Sequence, residues 1–246
     1  MKLLKVLLAS FVIASLALAQ GSAASAAGGY DLFGTATAVH PGNGSDTAIQ
    51  LSSVGTTFGG IDFDQTSVTP PVTTLATLET LSTDYMFTAG SCAGGSPRFQ
   101  INVATSSGIK NIFVYLGPPP SYTLCPQNVW TNTSDLLTPA SLVDTSQLGG
   151  TFYDTWAHAL AAYGTFTVTG IQLVADGGWA LAQTVLVDNV MINGTIFTFE
   201  SGASPSDKEK CKDGGWQRFT ASPGPFKNQG DCVSYFATGG KNKASD

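Results

Sequence analysis

The alternation of apolar and polar residues along this chain predicts a series of short β-strands. The clearest case is Arg98–Val103, where Phe99, Ile101 and Val103 fall on one face and polar residues fall on the other. This pattern is typical of a strand with one face in the core and one in solvent. Ile112–Leu116 is apolar on both faces and is expected to be a central strand. Further strands are predicted at Thr35–Val39, Thr47–Leu51, Gly60–Phe63, Thr165–Val174, Thr184–Ile192 and Thr195–Phe199.

One segment has the periodicity of a helix instead. Five apolar residues recur at the spacing of one helix face: Phe152, Trp156, Ala159, Leu160 and Tyr163. Thr151 is expected to cap this helix and Gly164 to end it. The pattern of Leu75–Tyr85 fits a strand or a helix, and its threonines favour a strand.

Together these elements predict an all-β fold, a two-sheet antiparallel sandwich of jelly-roll type with one short helix on a connection. The 28 glycines among 246 residues and a charged content of only 11% agree with short strands joined by polar turns. The sandwich is expected at residues 30–200, a linker at 201–207, a small disulfide-closed tail at 208–238 and a disordered end at 239–246.

Residues 1–19 have the layout of a cleaved secretory signal peptide. A short basic start precedes the apolar run Val6–Ala19, which is too short to span a bilayer and ends in small residues. Cleavage is expected at residue 19, or as late as residue 27, and residues 20–29 would form a flexible spacer. We therefore expect a secreted, extracellular protein whose mature chain has no transmembrane segment.

Charge is distributed unevenly along the chain. Residues Gly28–Ser206 contain two basic and twelve acidic residues, a net charge of −10, whereas Asp207–Asp246 contains seven basic and five acidic residues. An acidic body repels phosphate backbones and anionic lipid head groups, so nucleic-acid and membrane-surface partners are disfavoured. Neutral glycans and cations remain compatible ligands.

The chain contains four cysteines: Cys92, Cys125, Cys211 and Cys232. Their spacing includes no C-x-x-C and fits neither a zinc ribbon nor a zinc finger. In an exported chain an even number of cysteines indicates disulfides. Three pairings are possible, and Cys92–Cys125 with Cys211–Cys232 is the simplest, because the change in charge separates the two pairs.

The tail carries a sequence motif. Residues 210–219 read KCKDGGWQRF and residues 226–235 read FKNQGDCVSY. This pattern resembles a short C-terminal motif of unknown function that recurs in secreted bacterial proteins of otherwise different sequence. The resemblance implies export from a bacterium and no particular activity. In the body, Val168–Gly194 is loosely similar to carbohydrate-binding jelly-roll modules.

No catalytic motif is recognisable, and the sequence leaves an enzyme unsupported. The two histidines, His40 and His158, are far apart, and His158 is expected to form an i,i+4 surface pair with Asp154. There is no G-x-S-x-G or H-E-x-x-H segment. The only glutamates of the body, Glu79 and Glu200, do not form the paired-carboxylate array of a glycosidase.

Four aspartates of the acidic body are candidate ligands of a structural calcium ion: Asp62, Asp64, Asp176 and Asp188. Calcium prefers hard oxygen ligands of this kind. Asp188 shares a strand face with Leu186 and Val190, so it is expected to point inward, where a carboxylate must be paired, metal-bound or protonated. The alternatives are that a bulge turns Asp188 outward, or that Asn189 and backbone amides satisfy it.

Aromatic and amide side chains on predicted loops are the candidate ligand-binding groups: Tyr122, Gln127, Asn128, Trp130 and Trp179. Aromatic faces stack on the C–H faces of sugar rings, and amides pair with hydroxyls. The alternative is that these rings cover the open ends of the sandwich, since tryptophan is usually mostly buried.

The favoured hypothesis is a secreted, non-catalytic sandwich that binds a glycan or cell-surface polymer through these loop side chains. A second hypothesis is a structural or adhesive extracellular protein without a small-molecule ligand. A third is a hydrolase that acts on a polysaccharide.

Overall fold

The body of the chain is a sandwich of two antiparallel β-sheets, and the predicted all-β, jelly-roll-type architecture is confirmed. The structure, a computed structural model, describes residues 29–178, 182–200, 211–212, 214–218 and 226–237. The predicted signal peptide, linker and disordered end lie outside the described residues, as does the spacer except for Gly29. The domain boundaries stay predictions.

The described strands are, in chain order, β1 (Tyr30–Gly34), β2 (Thr37–Val39), β3 (Ala48–Ser53), β4 (Phe58–Phe63), β5 (Leu81–Ala89), β6 (Arg98–Thr105), β7 (Gly108–Tyr115), β8 (Thr131–Asn132), β9 (Leu142–Val143), β10 (Asp154–Thr155), β11 (Val168–Asp176), β12 (Gln183–Ile192) and β13 (Thr195–Phe197). The described α-helices are α1 (Trp156–Tyr163) and α2 (Gln229–Ala237), and short 3-10 helices span Leu75–Thr77, Ser146–Leu148 and Gly215–Arg218.

Five strands form one sheet, here called the front sheet, in the order β1-β4-β11-β6-β7. The other sheet, the back sheet, has the order β2-β3-β12-β5-β8, with β13 added beside β12. Strands β9 and β10 pair separately. The two long strands from the last third of the chain, β11 and β12, therefore occupy the middle of the two sheets.

Alternation along the strands builds the core between the sheets. In β6, Phe99, Ile101 and Val103 are fully buried, as the sequence predicts. They belong to one apolar cluster with Leu51 of β3 and Val187 of β12, which come from the back sheet. Burial of this kind is the main favourable contribution to folding.

Strand β7 corrects one prediction. It was expected at the centre of a sheet, but it lies at the edge of the front sheet. Its outer side is covered by a connection, because Phe113 and Asp144 exchange two backbone hydrogen bonds of 3.0 and 2.8 Å. The apolar character of β7 therefore reflects cover by a loop and not a second neighbouring strand.

Helix α1 begins later than predicted. Thr155 is the N-cap, and its hydroxyl accepts a hydrogen bond from the His158 backbone N–H at 3.2 Å. The residues just before it are extended, because β10 pairs with β9. Phe152 consequently lies outside the helix and is 53% exposed, whereas Trp156 is buried as predicted.

Leu75–Tyr85, whose pattern fits a strand or a helix, contains some of each. A 3-10 helix covers Leu75–Thr77, and β5 begins at Leu81.

Both predicted disulfides are confirmed, Cys92–Cys125 and Cys211–Cys232. The first lies in the core of the sandwich. The second lies in a separate apolar cluster of the tail with Phe226 and Phe236. Within the described ranges, no helix combines the length and the apolar character needed to cross a bilayer.

Candidate functional site

The predicted loop residue Tyr122 is buried, which corrects the expectation that its ring is offered to a sugar. Its hydroxyl donates to the Leu142 carbonyl oxygen at 3.2 Å. Its ring is parallel to that of Tyr153, with centroids 6.4 Å apart, and makes an edge contact with Tyr115. Protein atoms therefore cover Tyr122.

The other predicted loop residues have mixed environments. Gln127 and Asn128 are exposed, and both help to fix their loop, since the Gln127 side-chain amide donates to the Gly90 carbonyl and the Asn128 backbone N–H to that of Phe87. Trp130 is half-buried. Trp179 lies outside the described residues. A ligand-binding role for these four residues stays a prediction.

The four candidate calcium ligands do not converge. Asp62 lies on the front sheet, Asp64 accepts hydrogen bonds from the backbone and side chain of Thr66, and Asp176 forms an ion pair with Arg98 at 2.8 Å. In the part of the chain that the structure describes, no three His, Cys, Asp or Glu side chains are grouped so that they could hold a metal ion. The structure therefore gives no support to the calcium hypothesis.

Asp188 is fully buried, but it does not face the core, which corrects the expectation that it points inward. A bulge in β12 after Asp188 changes the alternation, so Val187 and Val190 both face the core, whereas Asp188 lies on the outer face of the back sheet under the turn that contains Asn43. Its carboxylate accepts hydrogen bonds from the Asn43 backbone N–H, the Ser45 hydroxyl and the Asn189 backbone N–H, at 2.5 to 2.7 Å. Burial raises the pKa of Asp188 more than these hydrogen bonds lower it, so the net shift is upward. This arrangement matches both alternatives: a bulge turns Asp188 away from the core, and neighbouring backbone amides satisfy its carboxylate.

A second carboxylate, Asp84, lies opposite Asp188 across β5 and β12. It accepts hydrogen bonds from the side-chain amides of Asn43, Asn132 and Asn189, at 2.7 to 2.9 Å. The three asparagines come from separate segments of the chain. The pair of aspartates thus holds the turn at Asn43 and the edge strand β8 against strands β5 and β12 of the back sheet, a structural role that the sequence pattern did not indicate.

Another arrangement of polar groups lies on the outer face of the front sheet, which points away from the core. Cross-strand pairing places one residue from each of its five strands in a single line: Asp31, Asp62, Gln172, Gln100 and Phe113. We call this line the outer row. Cross-strand partners share a face of the sheet, and the residues next to them in sequence, such as Ile61, Leu173 and Phe99, are buried in the core.

Hydrogen bonds connect most of the outer row. The Gln100 amide N–H donates to the Gln172 side-chain oxygen at 3.1 Å, and the Gln172 side chain interacts with the carboxylate of its cross-strand partner Asp62. Burial and the charge of Asp31 raise the pKa of Asp62, and the interaction with Gln172 only partly opposes this, so the net shift is upward.

Arg98 continues this chain of hydrogen bonds. Its Nε and Nη2 atoms both donate to the Gln100 side-chain oxygen, at 3.1 and 2.9 Å, Nη2 also donates to Asp176, and Nη1 donates to the Gly95 carbonyl. The guanidinium lies 4.8 Å from the centre of the Phe113 ring. Burial alone would raise the pKa of Asp176, but bonds from Arg98 and the Gly178 N–H outweigh it and lower that pKa.

Open depressions lie at both ends of the outer row. Near β1 and β4, a depression of about 290 Å³ is lined by Asp31, Asp62 and Thr169 among others. Near β7, a more apolar depression is lined by Tyr115, Tyr153 and neighbouring residues. The Tyr153 side chain is 52% exposed. The face therefore runs from an acidic end to an aromatic end.

Sequence reasoning found this face only in part. It placed Gln100 and Asn102 on the solvent side of a strand and selected Asp62 for a different role. It missed Asp31 and Gln172, although Gln172 is a lone polar residue between apolar neighbours in β11. It also placed Arg98 in solvent, whereas Arg98 is only 6% exposed.

No protein-family model and no curated protein matches this chain. Among solved structures it is similar to the family 11 carbohydrate-binding module of the cellulosomal cellulase Lic26A-Cel5E of Clostridium thermocellum, with a TM-score of 0.40 and 13% identity over 68% of this chain and 88% of that chain. A family 11 module from Clostridium thermocellum in complex with a β-1,3-1,4-mixed-linked tetrasaccharide gives a TM-score of 0.40 and 12% identity, over 69% and 91% of the two chains. Likeness at this level transfers neither a ligand nor a site.

Proposed function

We propose that this protein is a non-catalytic glycan-binding protein that holds a segment of polysaccharide along the outer row of the front sheet. One observation carries the proposal. Polar side chains that can bind hydroxyl groups are aligned across the face and connected by hydrogen bonds, and they remain partly accessible.

The size of the face suits a polymer. Neighbouring strands lie about 4.8 Å apart, so a row across five strands extends over about 19 Å. Small molecules are usually held in enclosed, mostly apolar pockets. The outer row is instead long, polar and open, which favours an extended ligand that binds through several equivalent contacts.

The polar side chains of the outer row and the aromatic side chains at its β7 end fit the chemistry of a sugar chain. Amides donate and accept hydrogen bonds, and carboxylates accept them, so Gln100, Gln172 and Asp62 match ring hydroxyls. At the β7 end, Phe113 and Tyr153 offer aromatic surface for the apolar faces of sugar rings. The proposed site thus retains aromatic contacts with sugar rings but places them at the β7 edge of the front sheet, on β7 and on the turn before β10, and not on the loop residues selected from the sequence.

We further propose that the protein acts outside the cell after export from a bacterium. Both disulfides support this proposal, because such bonds persist mainly in oxidising compartments. The predicted signal peptide and the motif of the tail agree with it.

The test is retention of the protein on a panel of soluble polysaccharides in affinity gel electrophoresis, followed by calorimetric titration. We expect wild type to bind at least one polymer. Gln172→Ala and Gln100→Ala should each weaken binding about tenfold, the effect of losing roughly 1.4 kcal/mol of hydrogen bonding. The matched control is Gln50→Ala, a half-buried glutamine on β3 of the back sheet, which should leave the affinity unchanged.

Three outcomes would contradict the proposal. One is the absence of binding to any polymer of the panel. Another is an equal loss in the Gln50→Ala control. The third is a loss with Trp130→Ala but not with Gln172→Ala, which would return the binding site to the predicted loop.

A further inference from the structure

The hydrogen bonds along the outer row run in one direction. A guanidinium has only donors, so the Gln100 side chain must turn its oxygen toward Arg98 and its N–H toward Gln172. Gln172 accepts that bond with its oxygen, so the part of its side chain that can stabilise the carboxylate of its cross-strand partner Asp62 is its N–H groups, and Gln172 does lower the pKa of Asp62. We call this series, from Arg98 through both glutamines to Asp62, the ladder.

Arg98 fixes one end of the ladder and Asp62 the other, and together they determine which hydrogen-bonding groups remain free to contact a ligand. Each glutamine amide has two N–H groups and gives one to the ladder, so each keeps one for a ligand. At the other end, Asp31 and Asp62 present only acceptors while they are ionised. The middle of the face therefore donates hydrogen bonds, and the β1–β4 end accepts them.

The positive charge of Arg98 is not available to a ligand. The guanidinium is buried, it is paired with Asp176, and Nε, Nη1 and Nη2 all donate to protein acceptors. Lys110 of β7 pairs with the core-facing Val103, so it belongs to the other face of the sheet. With Arg98 and Asp176 offsetting each other, the accessible charge on the outer row is that of the two neighbouring carboxylates of β1 and β4.

We infer that the direction of the ladder makes the outer row selective for uncharged polysaccharides that bring hydroxyl donors to the Asp31–Asp62 end. This inference rests on the proposed function. Uronate or sulfated chains would place an anion beside two carboxylates, and no basic side chain of the described front sheet is available there to pair with it. Such like-charge contacts oppose binding. Uncharged sugars meet no such barrier, because their hydroxyls can donate to the carboxylates and their oxygens can accept from the glutamines.

The first experiment tests selectivity with one polymer in two forms. The probes are a neutral soluble glucan that wild type retains, and the same glucan after its primary hydroxyls have been oxidised to carboxylates. We expect wild type to bind the oxidised form at least tenfold more weakly at low salt. The double variant Asp31→Asn/Asp62→Asn should lose most of this preference. As a matched control, Asp46→Asn/Asp135→Asn, which removes the same charge elsewhere on the chain, should keep it.

The outcomes separate the inference from the proposed function. Equal binding of both forms by wild type would overturn the selectivity and leave glycan binding standing. A preference that the double variant retains would also overturn it, since the selection would then come from other residues. If wild type retains no neutral polymer, the proposed function fails and this inference fails with it.

A second experiment tests the ladder without any ligand. Gln100→Glu places a new carboxylate beside Arg98, whereas Gln172→Glu places the same group beside Asp62. The quantity compared is the urea midpoint of each variant minus that of wild type at the same pH. We expect this difference to be more negative at pH 7 than at pH 4 for Gln172→Glu, and to change little between these pH values for Gln100→Glu. The reverse order for the two variants would contradict the direction of the ladder.

Discussion

Removal of the Cys92–Cys125 disulfide should destabilise the sandwich by a predictable amount. We consider the variant Cys92→Ala/Cys125→Ala, which removes the bond without adding buried polar groups. Both sulfurs lie in the main core, and they pack against Gly117, where a Cβ atom would lie within 2.8 to 3.0 Å of them. The protein is therefore expected to lose a covalent restraint and some packing at the same place.

The magnitude follows from the 33-residue separation of the two cysteines. In the chain-entropy model, opening a loop of this size returns about 12.5 cal/mol/K to the unfolded chain, or about 3.7 kcal/mol at 25 °C. For a sandwich of this size, 1 kcal/mol corresponds to roughly 2–4 °C, so the melting temperature should fall by about 7–15 °C.

The assay is urea unfolding followed by far-UV circular dichroism, which reports the β-sheets, with thermal melting as a second measurement. The matched control is Cys211→Ala/Cys232→Ala, whose separation of 21 residues gives a similar entropy of about 3.3 kcal/mol. Because that bond lies in a separate cluster of the tail, its removal should leave the main transition in place.

The reasoning is refuted if the Cys92→Ala/Cys125→Ala variant keeps the wild-type urea midpoint. It is also refuted if both variants shift the main transition equally, since the bond of the tail would then stabilise the sandwich as much as the bond in its core.

Other substitutions test the core and the buried charge. In EDTA, the melting temperature of wild type should fall as pH rises above about 4, because Asp188 has a raised pKa in the folded protein and must ionise there. The fall should be smaller in Asp188→Asn. An increase in melting temperature on adding calcium, seen only in wild type, would instead support the calcium hypothesis. Phe99→Ala should cost about 3–5 kcal/mol in urea unfolding, because Phe99 is fully buried, and a loss below about 1 kcal/mol would contradict its place in the core. Gly60→Ala should lower the urea midpoint and change the NMR chemical shifts of the Phe33 ring, because the added Cβ would lie 2.3 Å from that ring and 2.9 Å from the Leu173 carbonyl oxygen. Unchanged chemical shifts would contradict that close approach.

The sequence predicted those features of the fold that depend on local pattern. The alternation in Arg98–Val103 identified the buried face of β6, and the charge boundary identified the disulfide pairing. The predicted start of α1 was wrong because pairing with β9 holds Asp154 and Thr155 in an extended conformation. The helical pattern of the sequence does not reveal this pairing.

The candidate site could be predicted far less well, because it depends on register between distant strands. Asp31, Asp62, Gln172 and Gln100 are ordinary polar residues in their own segments, and only cross-strand pairing aligns them. Tyr122 shows the opposite problem. Its position on a predicted loop indicated an exposed ring, whereas the structure packs that ring against Tyr115 and Tyr153.

The position of β11 and β12 has a consequence for how the chain acquires its fold. Both sheets are organised around strands that are synthesised late, and each pairs with strands from much earlier in the chain. Such high contact order requires the closure of long loops before stabilising contacts form, so folding should be slow. A growing polypeptide that has not yet reached Val168 lacks the middle of both layers. It should remain open to proteases and to chaperones until its last third has emerged.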